Sequence, residues 1–558
     1  MPPAARASSS LSGAMTATPR RRSGYAAIGR EFSHALLAAV AGKPEAELGA
    51  ALDHLVDAGL LSQQGVPPHA NYLFKHALVQ DAAYGLLLRE PRRALHARIA
   101  EALESQFADV AVAEPEILAD HLRRAELAER ARHYFERVGD RSIARSAYAE
   151  AVAHFNAALA EASSLPTGPD RDQSVLEILL KQGTAVQMLK EQRSSEVEQT
   201  YRRAYEIAKT SGDEERLFKA LWGLWLHANL AGRTNLARDR AEELVALGNE
   251  SGNDGLILEA IHCRWSTAFF GGDVAGILAD ADEGLKFYDP VRQGGLGAEF
   301  GTHDPGVCAH VVRGHAFAQS GNPREAADSV ERGIALSRTL GHLPSEAFAL
   351  INASMSCQII GDRVALALFA EQMIELAVKF DLAGPESTAR FTAAWAIACG
   401  DRLDAGLQAM EAEFPRVSVM SPTLVYHTGL LAGVRLEAGQ AELALELLDQ
   451  VLGTVTEPGV GFYLPEIHRL RTECLLRLDQ TNFDKAEREF ELAIEVAKQQ
   501  QAQSFQLTAA IALARVWSSV NQPEKGAIPL REAVDMFTDD DVPAQLATAR
   551  QILSGLPR

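Results

Sequence analysis

Small and bulky apolar residues return along this chain at offsets that share one face of a helix. In AEREFELA, Ala486, Phe490 and Ala493 stand four and three positions apart, and charged residues fill the other faces. The same offsets occur at Ala151, Phe155 and Ala158, at Val197, Tyr201 and Ala204, and at Ala237, Ala241 and Leu244. Looser copies begin at Ile277, Ala326, Leu366, Ala405, Ala444 and Gly526, so successive starts lie 46, 40, 40, 49, 40, 39, 39, 42 and 40 residues apart. Between these anchors stand the turn formers Gly232, Gly321-Asn322-Pro323, Gly361-Asp362, Gly400-Asp401, Gly439 and Asn521-Gln522-Pro523. Each can end one helix and begin the next. Two helices per period predict an all-α chain, a helical-repeat superhelix (α-solenoid) in which every hairpin buries its small-residue face on its neighbour.

Upstream of the repeats the pattern changes. Leu36, Val40, Leu48, Leu52, Leu55 and Leu60 give amphipathic helices, Gly59 to His69 reads as a turn or wing, and NYLF at 71–74 as a short strand. That order predicts a small winged-helix-like segment. Leu78, Ala82 and Leu86 line a further helical face that Pro91 is expected to stop, and Leu95, Ile99 and Leu103 begin the next helix. The division expected is a disordered tail over 1–24, the winged-helix-like segment over 25–104 and a helical transition with the first hairpin over 105–165. A linker over 166–178 and the repeat array over 179–558 follow.

The Ala-x-x-x-Phe-x-x-Ala core resembles the tetratricopeptide repeat (TPR) in a longer form, although the Trp and Leu-Gly positions of that family's first helix are mostly absent. A second resemblance covers most of the chain from about residue 25. GREF, YLFKHALVQDAAY, RRALHARIAEALE, GTHDPGVC, PEIHRLRTECLL and AKQQQAQSFQLTAAIALARVW resemble the C-terminal half of bacterial proteins that join a class III adenylate/guanylate cyclase, a STAND-type ATPase and TPRs. One departure is Thr472, where that family usually has Gly. The resemblance implies a signalling protein in which His76 reports a bound nucleotide, provided a separate chain supplies the ATPase module.

Neither catalytic module is legible here. Gly42-Lys43 is followed by Pro44 and cannot be a P-loop; G-x-S-x-G, H-E-x-x-H and C-x-x-C are missing, and GGLGAEFG lacks the third glycine of a dinucleotide site. A non-enzymatic sensor or scaffold without a cofactor is expected, or else a subunit of a split cyclase/ATPase. Its partner would be a protein or small effector on the concave face of the array, with a separate ATPase/cyclase chain as the other candidate.

Composition narrows the partners further. The chain has 558 residues, is 47% hydrophobic but only 6% aromatic, and its 74 acidic against 54 basic residues leave a net charge of −20 that would repel nucleic acid. No apolar run is long enough to span a bilayer, and the scattered cysteines, Cys263, Cys308, Cys357, Cys399 and Cys474, fit a reducing cytoplasm.

Chemistry-bearing residues concentrate in FGTHDPGVCAH, at the end of the 49-residue interval. Asp304 before Pro305 is expected to cap a helix. His303, Asp304, Cys308 and His310 are metal-binding types, yet Cys308 and His310 lie two apart and face different ways on a helix, so no metal is expected. His303 and Asp304 are candidate contacts for a partner on the concave face. Trp222 and Trp225, with Trp265, are candidates for an aromatic groove or for core packing. Glu466, Arg469 and Glu473 are spaced to brace helices.

Overall fold

The computed structural model describes residues 25–189, 194–300, 303–417, 423–455, 461–479, 483–537 and 544–555. The tail expected over 1–24 lies outside them. The chain divides into two compact units, Met1–Lys190 and Glu191–Arg558.

In the first unit, strands β1 (Glu31–Ser33), β2 (Leu61–Gln64) and β3 (Asn71–Phe74) form an antiparallel sheet in the order β1-β3-β2. Helices α1 (His34–Ala41) and α2 (Glu45–Asp57) fill the β1–β2 connection. Ser33 caps α1 by accepting from Leu36 N at 3.1 Å, and Leu37, Leu48, Leu52, Leu61, Tyr72 and Phe74 make a closed core. The β1 strand, three residues long, had no alternation by which to be read in the sequence.

Helix α3 (Ala77–Gly85) has no buried residue, and Leu78 is 81% exposed. Pro91 does not stop it: α3 ends at Gly85, and Pro91 sits in the first turn of α4 (Arg89–Ser105), where no intrahelical N–H bond is lost. Then come α5 (Ala108–Ala113), α6 (Pro115–Arg124), α7 (Ala128–Ala144), α8 (Tyr148–Ser163) and α9 (Pro169–Leu189). The linker expected over 166–178 is thus largely the first half of α9. Its Val175, Leu176 and Ile178 are buried, and Lys181 ties it to Glu136 (2.6 Å) and Asp140 (2.9 Å) of α7.

The second unit is a succession of helical hairpins: α10 (Ser195–Ser211) and α11 (Glu214–Leu230), α12 (Thr234–Ser251) and α13 (Asp254–Gly271), then α14 (Val274–Gly284) with the short α15 (Pro290–Gln293) and α16 (Leu296–Glu299). It continues through α17 (Pro305–Gln319), α18 (Pro323–Leu340), α19 (Leu343–Ile360), α20 (Arg363–Phe380), α21 (Ala383–Ala398) and α22 (Leu403–Val417). The last members are α23 (Leu424–Glu437), α24 (Ala441–Leu452), α25 (Leu464–Leu478), α26 (Phe483–Gln499), α27 (Gln503–Ser519), α28 (Pro523–Val534) and α29 (Ala544–Ser554). Helices α11, α13, α17, α19, α21, α23, α25 and α27 each touch the next of their own series and form the inner layer.

The register read from the sequence is the one that packs, with one correction. Ala151, Val197, Ala237, Ile277, Ala326, Leu366, Ala444, Ala486 and Gly526 are buried as expected, but Ala405 is exposed. Gly406 takes its place, because α21 approaches so closely that a Cβ there would lie 2.4 Å from Ala398 N. Elsewhere a bulky anchor presses on a glycine of the facing helix: Phe155 on Gly139 and Tyr201 on Gly223. Thr472 is buried, and its hydroxyl donates to His468 O at 2.7 Å.

The inner layer winds until it meets itself. Ser504 Oγ on α27 donates to Ala318 O on α17 at 2.8 Å, Val274 N to Gln500 O at 3.3 Å and Gly461 N to Gly271 O at 3.2 Å. Inner helices are consequently buried on nearly all faces, and one core cluster runs from Leu258 to Phe505.

Candidate functional site

Two places in the second unit bring polar chemistry into the interior. The first lies where α13 meets the start of α17. Asp304 is fully buried and caps α17, its Oδ1 accepting from Val307 N at 2.9 Å while its own N–H donates to Ser345 Oγ at 2.8 Å. That cap fixes His303 just before the helix and Cys308 in its first turn. Phe348 holds the His303 ring in a stack with centroids 3.8 Å apart.

From the preceding hairpin, His262 on α13 reaches the same point. His303 Nε2 and His262 Nε2 are 3.3 Å apart, and the donor atoms of His262, His303 and Cys308 all lie within 4.8 Å of one another. Glu259, one helical turn before His262, places both carboxylate oxygens 3.2 Å from its Nδ1. Trp222 Nε1 donates to Glu259 Oε1 at 2.9 Å, and Trp265 Nε1 to Cys308 Sγ at 3.3 Å. Burial opposes a charge on His262, but the Glu259 carboxylate and the Cys308 sulfur outweigh it and push its pKa up to about 10. Burial and then the neighbouring His262 hold His303 well below the ordinary value. A Glu–His–Cys order could polarise a thiol, and Cys308 is only 1% exposed.

The second place is the centre of the inner layer. Phe462 and Tyr463, just before α25, insert between the inner helices: the Phe462 ring meets Phe269 (5.4 Å), His315 (5.2 Å) and Tyr426 (5.9 Å), and Tyr463 meets Tyr426 at 5.1 Å. Around these rings, both ring nitrogens of His315, Tyr426 Oη and Gln358 Oε1 are buried without a hydrogen-bond partner, as are the amide atoms of Gln319, one helical turn beyond His315. Gln358 Nε2 reaches Tyr463 Oη at 3.4 Å. An orphaned buried polar atom costs about 1–3 kcal/mol, so several sharing one region mark a place that water or a ligand would complete. Burial pushes the pKa of His315 down to about 3.

Sequence reasoning met these places unevenly. Trp222 and Trp225 do not line an open groove: both are buried, because their indole N–H groups find Glu259 and Thr267 on the next inner helix, each at 2.9 Å. Asp304 serves as a cap. His303 and Cys308 do come together, whereas His310 turns away and packs toward Gly333. The missing member was His262, 41 residues before His303. The two inner helices involved start 51 residues apart, at Asp254 and Pro305, so no regular spacing marked His262 as the partner of His303. Among the described residues, Phe269, Tyr426, Phe462 and Tyr463 pack against one another between the inner helices. His76, at the start of α3, is exposed.

No protein-family model matches the chain. The uncharacterized protein R02095 of Rhizobium meliloti (strain 1021) is 26% identical over 464 residues, covering 82% of this chain. The chain spans less than half of that relative's length, 44%. Similar solved structures include the Rap conjugation gene regulator of plasmid pLS20 in complex with the Phr* peptide (14% identity, TM-score 0.39, 72% of this chain and 96% of that one). A Signal Transduction ATPase with Numerous Domains (STAND) protein with a tetratricopeptide repeat sensor from Pyrococcus horikoshii is similar at 11% identity and TM-score 0.29, over 78% of this chain and 62% of that one. The APC/C hetero-tetramer Cut9–Hcn1 is similar at 12% identity and TM-score 0.38, over 85% and 92%.

Proposed function

We propose that this chain is a non-catalytic helical-repeat sensor or scaffold module of a bacterial signalling system, and that the inner face of its second unit takes a peptide segment or small polar effector. The observation that carries this reading is the orphaned set His315, Gln319, Tyr426 and Gln358 around the inserted Phe462–Tyr463 pair. A sealed apolar core has no use for these groups; a site whose occupant replaces the two inserted rings does. Screening a peptide and metabolite library by fluorescence polarisation tests it. Ligands found should lose at least ten-fold in affinity to His315→Ala and Tyr426→Phe, and ligands indifferent to both would refute it.

A second reading has its own support. The segment 25–104 is a winged-helix-like part of a STAND-type ATPase, and the chain works with a separate cyclase or ATPase chain that covers α3. The supporting observation is that α3 contains no fully buried residue, that Leu78 within it and Leu86 and Leu88 just after it are more than half exposed, and that His76 at its start is exposed. On either reading the isolated chain makes no cyclic nucleotide and hydrolyses no ATP. Loss of nucleotide coupling in His76→Ala, measured in the mixed complex, would favour the second; unchanged coupling would discard the nucleotide-sensing role of His76.

A further inference from the structure

We propose that His262, His303 and Cys308 form a zinc(II) site that joins the hairpin ending in α13 to the one opened by α17. This inference stands apart from the inner-face reading and needs no effector.

Three features of the geometry carry it. First, the donors are two imidazoles and a thiol, a set suited to a borderline-soft divalent ion, and they converge from two different hairpins. Zinc–nitrogen bonds of about 2.0–2.1 Å at a tetrahedral angle place two nitrogen ligands about 3.3 Å apart. The observed Nε2–Nε2 separation is 3.3 Å. Second, the outer groups are those a metal ligand requires. Glu259 lies 3.2 Å from Nδ1 of His262, which keeps a proton on that nitrogen and points Nε2 at the cluster, where a metal ion would replace its proton, and Trp222 in turn orients Glu259. Trp265 donates to the sulfur at 3.3 Å, as it would to a bound thiolate. Third, the site is enclosed by the two hairpins: His262 and Cys308 are 4% and 1% exposed, and His303 is half-buried. Three protein donors leave a fourth position to water or to a solution ligand, and binding releases two protons to solvent, one from the Cys308 thiol and one from Nε2 of His262.

The test uses the full chain, stripped with chelator and reloaded with zinc, with bound metal measured by mass spectrometry and cobalt(II) titrated as a spectroscopic probe. One zinc per chain is expected, together with a cobalt complex showing tetrahedral d–d bands and a thiolate charge-transfer band. Cys308→Ser should abolish the charge-transfer band. Glu259→Gln should weaken binding about 10–100-fold, whereas Cys399→Ser, at the exposed cysteine, should change nothing. Because Cys308 lies in the core, the half-buried His303→Gln provides a second variant, with at least a ten-fold loss expected at unchanged circular dichroism. Less than one tenth of a zinc per chain, or cobalt binding without the charge-transfer band in the unmodified protein, overturns the proposal. So does native affinity in a folded His303→Gln.

Discussion

Gly406 and Gly433 give the sharpest test of how the hairpins nest, because the same substitution should act in opposite directions at the two positions. Both lie inside helices, α22 and α23, so replacing either by alanine removes a helix penalty of about 1 kcal/mol. At Gly433 the new methyl meets only Leu470 Cδ2 at 3.6 Å, an ordinary contact. Gly433→Ala should therefore stabilise by about 0.5–1 kcal/mol. At Gly406 the methyl would stand 2.4 Å from Ala398 N and 2.5 Å from Ala398 Cα. That is backbone and cannot rotate aside, so α21 and α22 must separate. Overpacking costs about 1–3 kcal/mol, and a clash with backbone belongs at the upper end, about 2–3 kcal/mol; subtracting the helix gain of about 1 kcal/mol leaves Gly406→Ala destabilised by about 1–2 kcal/mol. Urea denaturation followed by circular dichroism reads both shifts, and hydrogen exchange should show the Gly406 loss concentrated in α21–α23. Equal shifts of the same sign would refute the close approach at Gly406, and with it the register assigned to that hairpin.

Two further outcomes follow from buried charge and buried histidine. Arg469 donates to Glu466 at 2.7 Å and to Glu473 at 2.7 Å, with Glu466 nearly sealed from water, so Arg469→Ala should destabilise by about 3–5 kcal/mol, read as a lower urea midpoint; a loss under 1 kcal/mol would show the triad to be solvated. Burial lowers His315 to about 3 and His427 to about 4, so only the unfolded chain takes up their protons as pH falls through the ordinary value of 6.5. Their contribution is complete above that value and falls by about 2 kcal/mol per ring at pH 5. A His315→Gln, His427→Gln double variant should flatten the dependence of the urea midpoint on pH, and an unchanged slope would contradict the burial.

The repeat was legible because its cause is local. Small residues at fixed offsets are what close helix packing demands, and Ala486, Phe490 and Ala493 are buried together as their spacing requires. Ala405 was misread because composition cannot distinguish Ala405-Gly406 from Gly406-Leu407 as the packing face; only the approach of α21 decides it. The Asp304 cap was equally local and equally legible. The meeting of His303 and Cys308 with His262 could not be read from GTHDPGVCAH, since His262 stands on the neighbouring hairpin. The inner-face site was invisible for the same reason. Phe462 and His315 stand far apart in the chain, and nothing near either one announces that the inner layer closes on itself.

On the proposed reading, Phe462 and Tyr463 seal a latent binding site inside the second unit. Titrating 1-anilinonaphthalene-8-sulfonate, a dye that reports accessible apolar surface, into the unmodified chain and a Phe462→Ala, Tyr463→Ala variant tests it most directly. About one dye bound per chain is expected in the variant at native helicity, little in the unmodified protein, and loss of dye binding when His315→Trp refills the space. A folded variant that binds no more dye than the unmodified chain would contradict it.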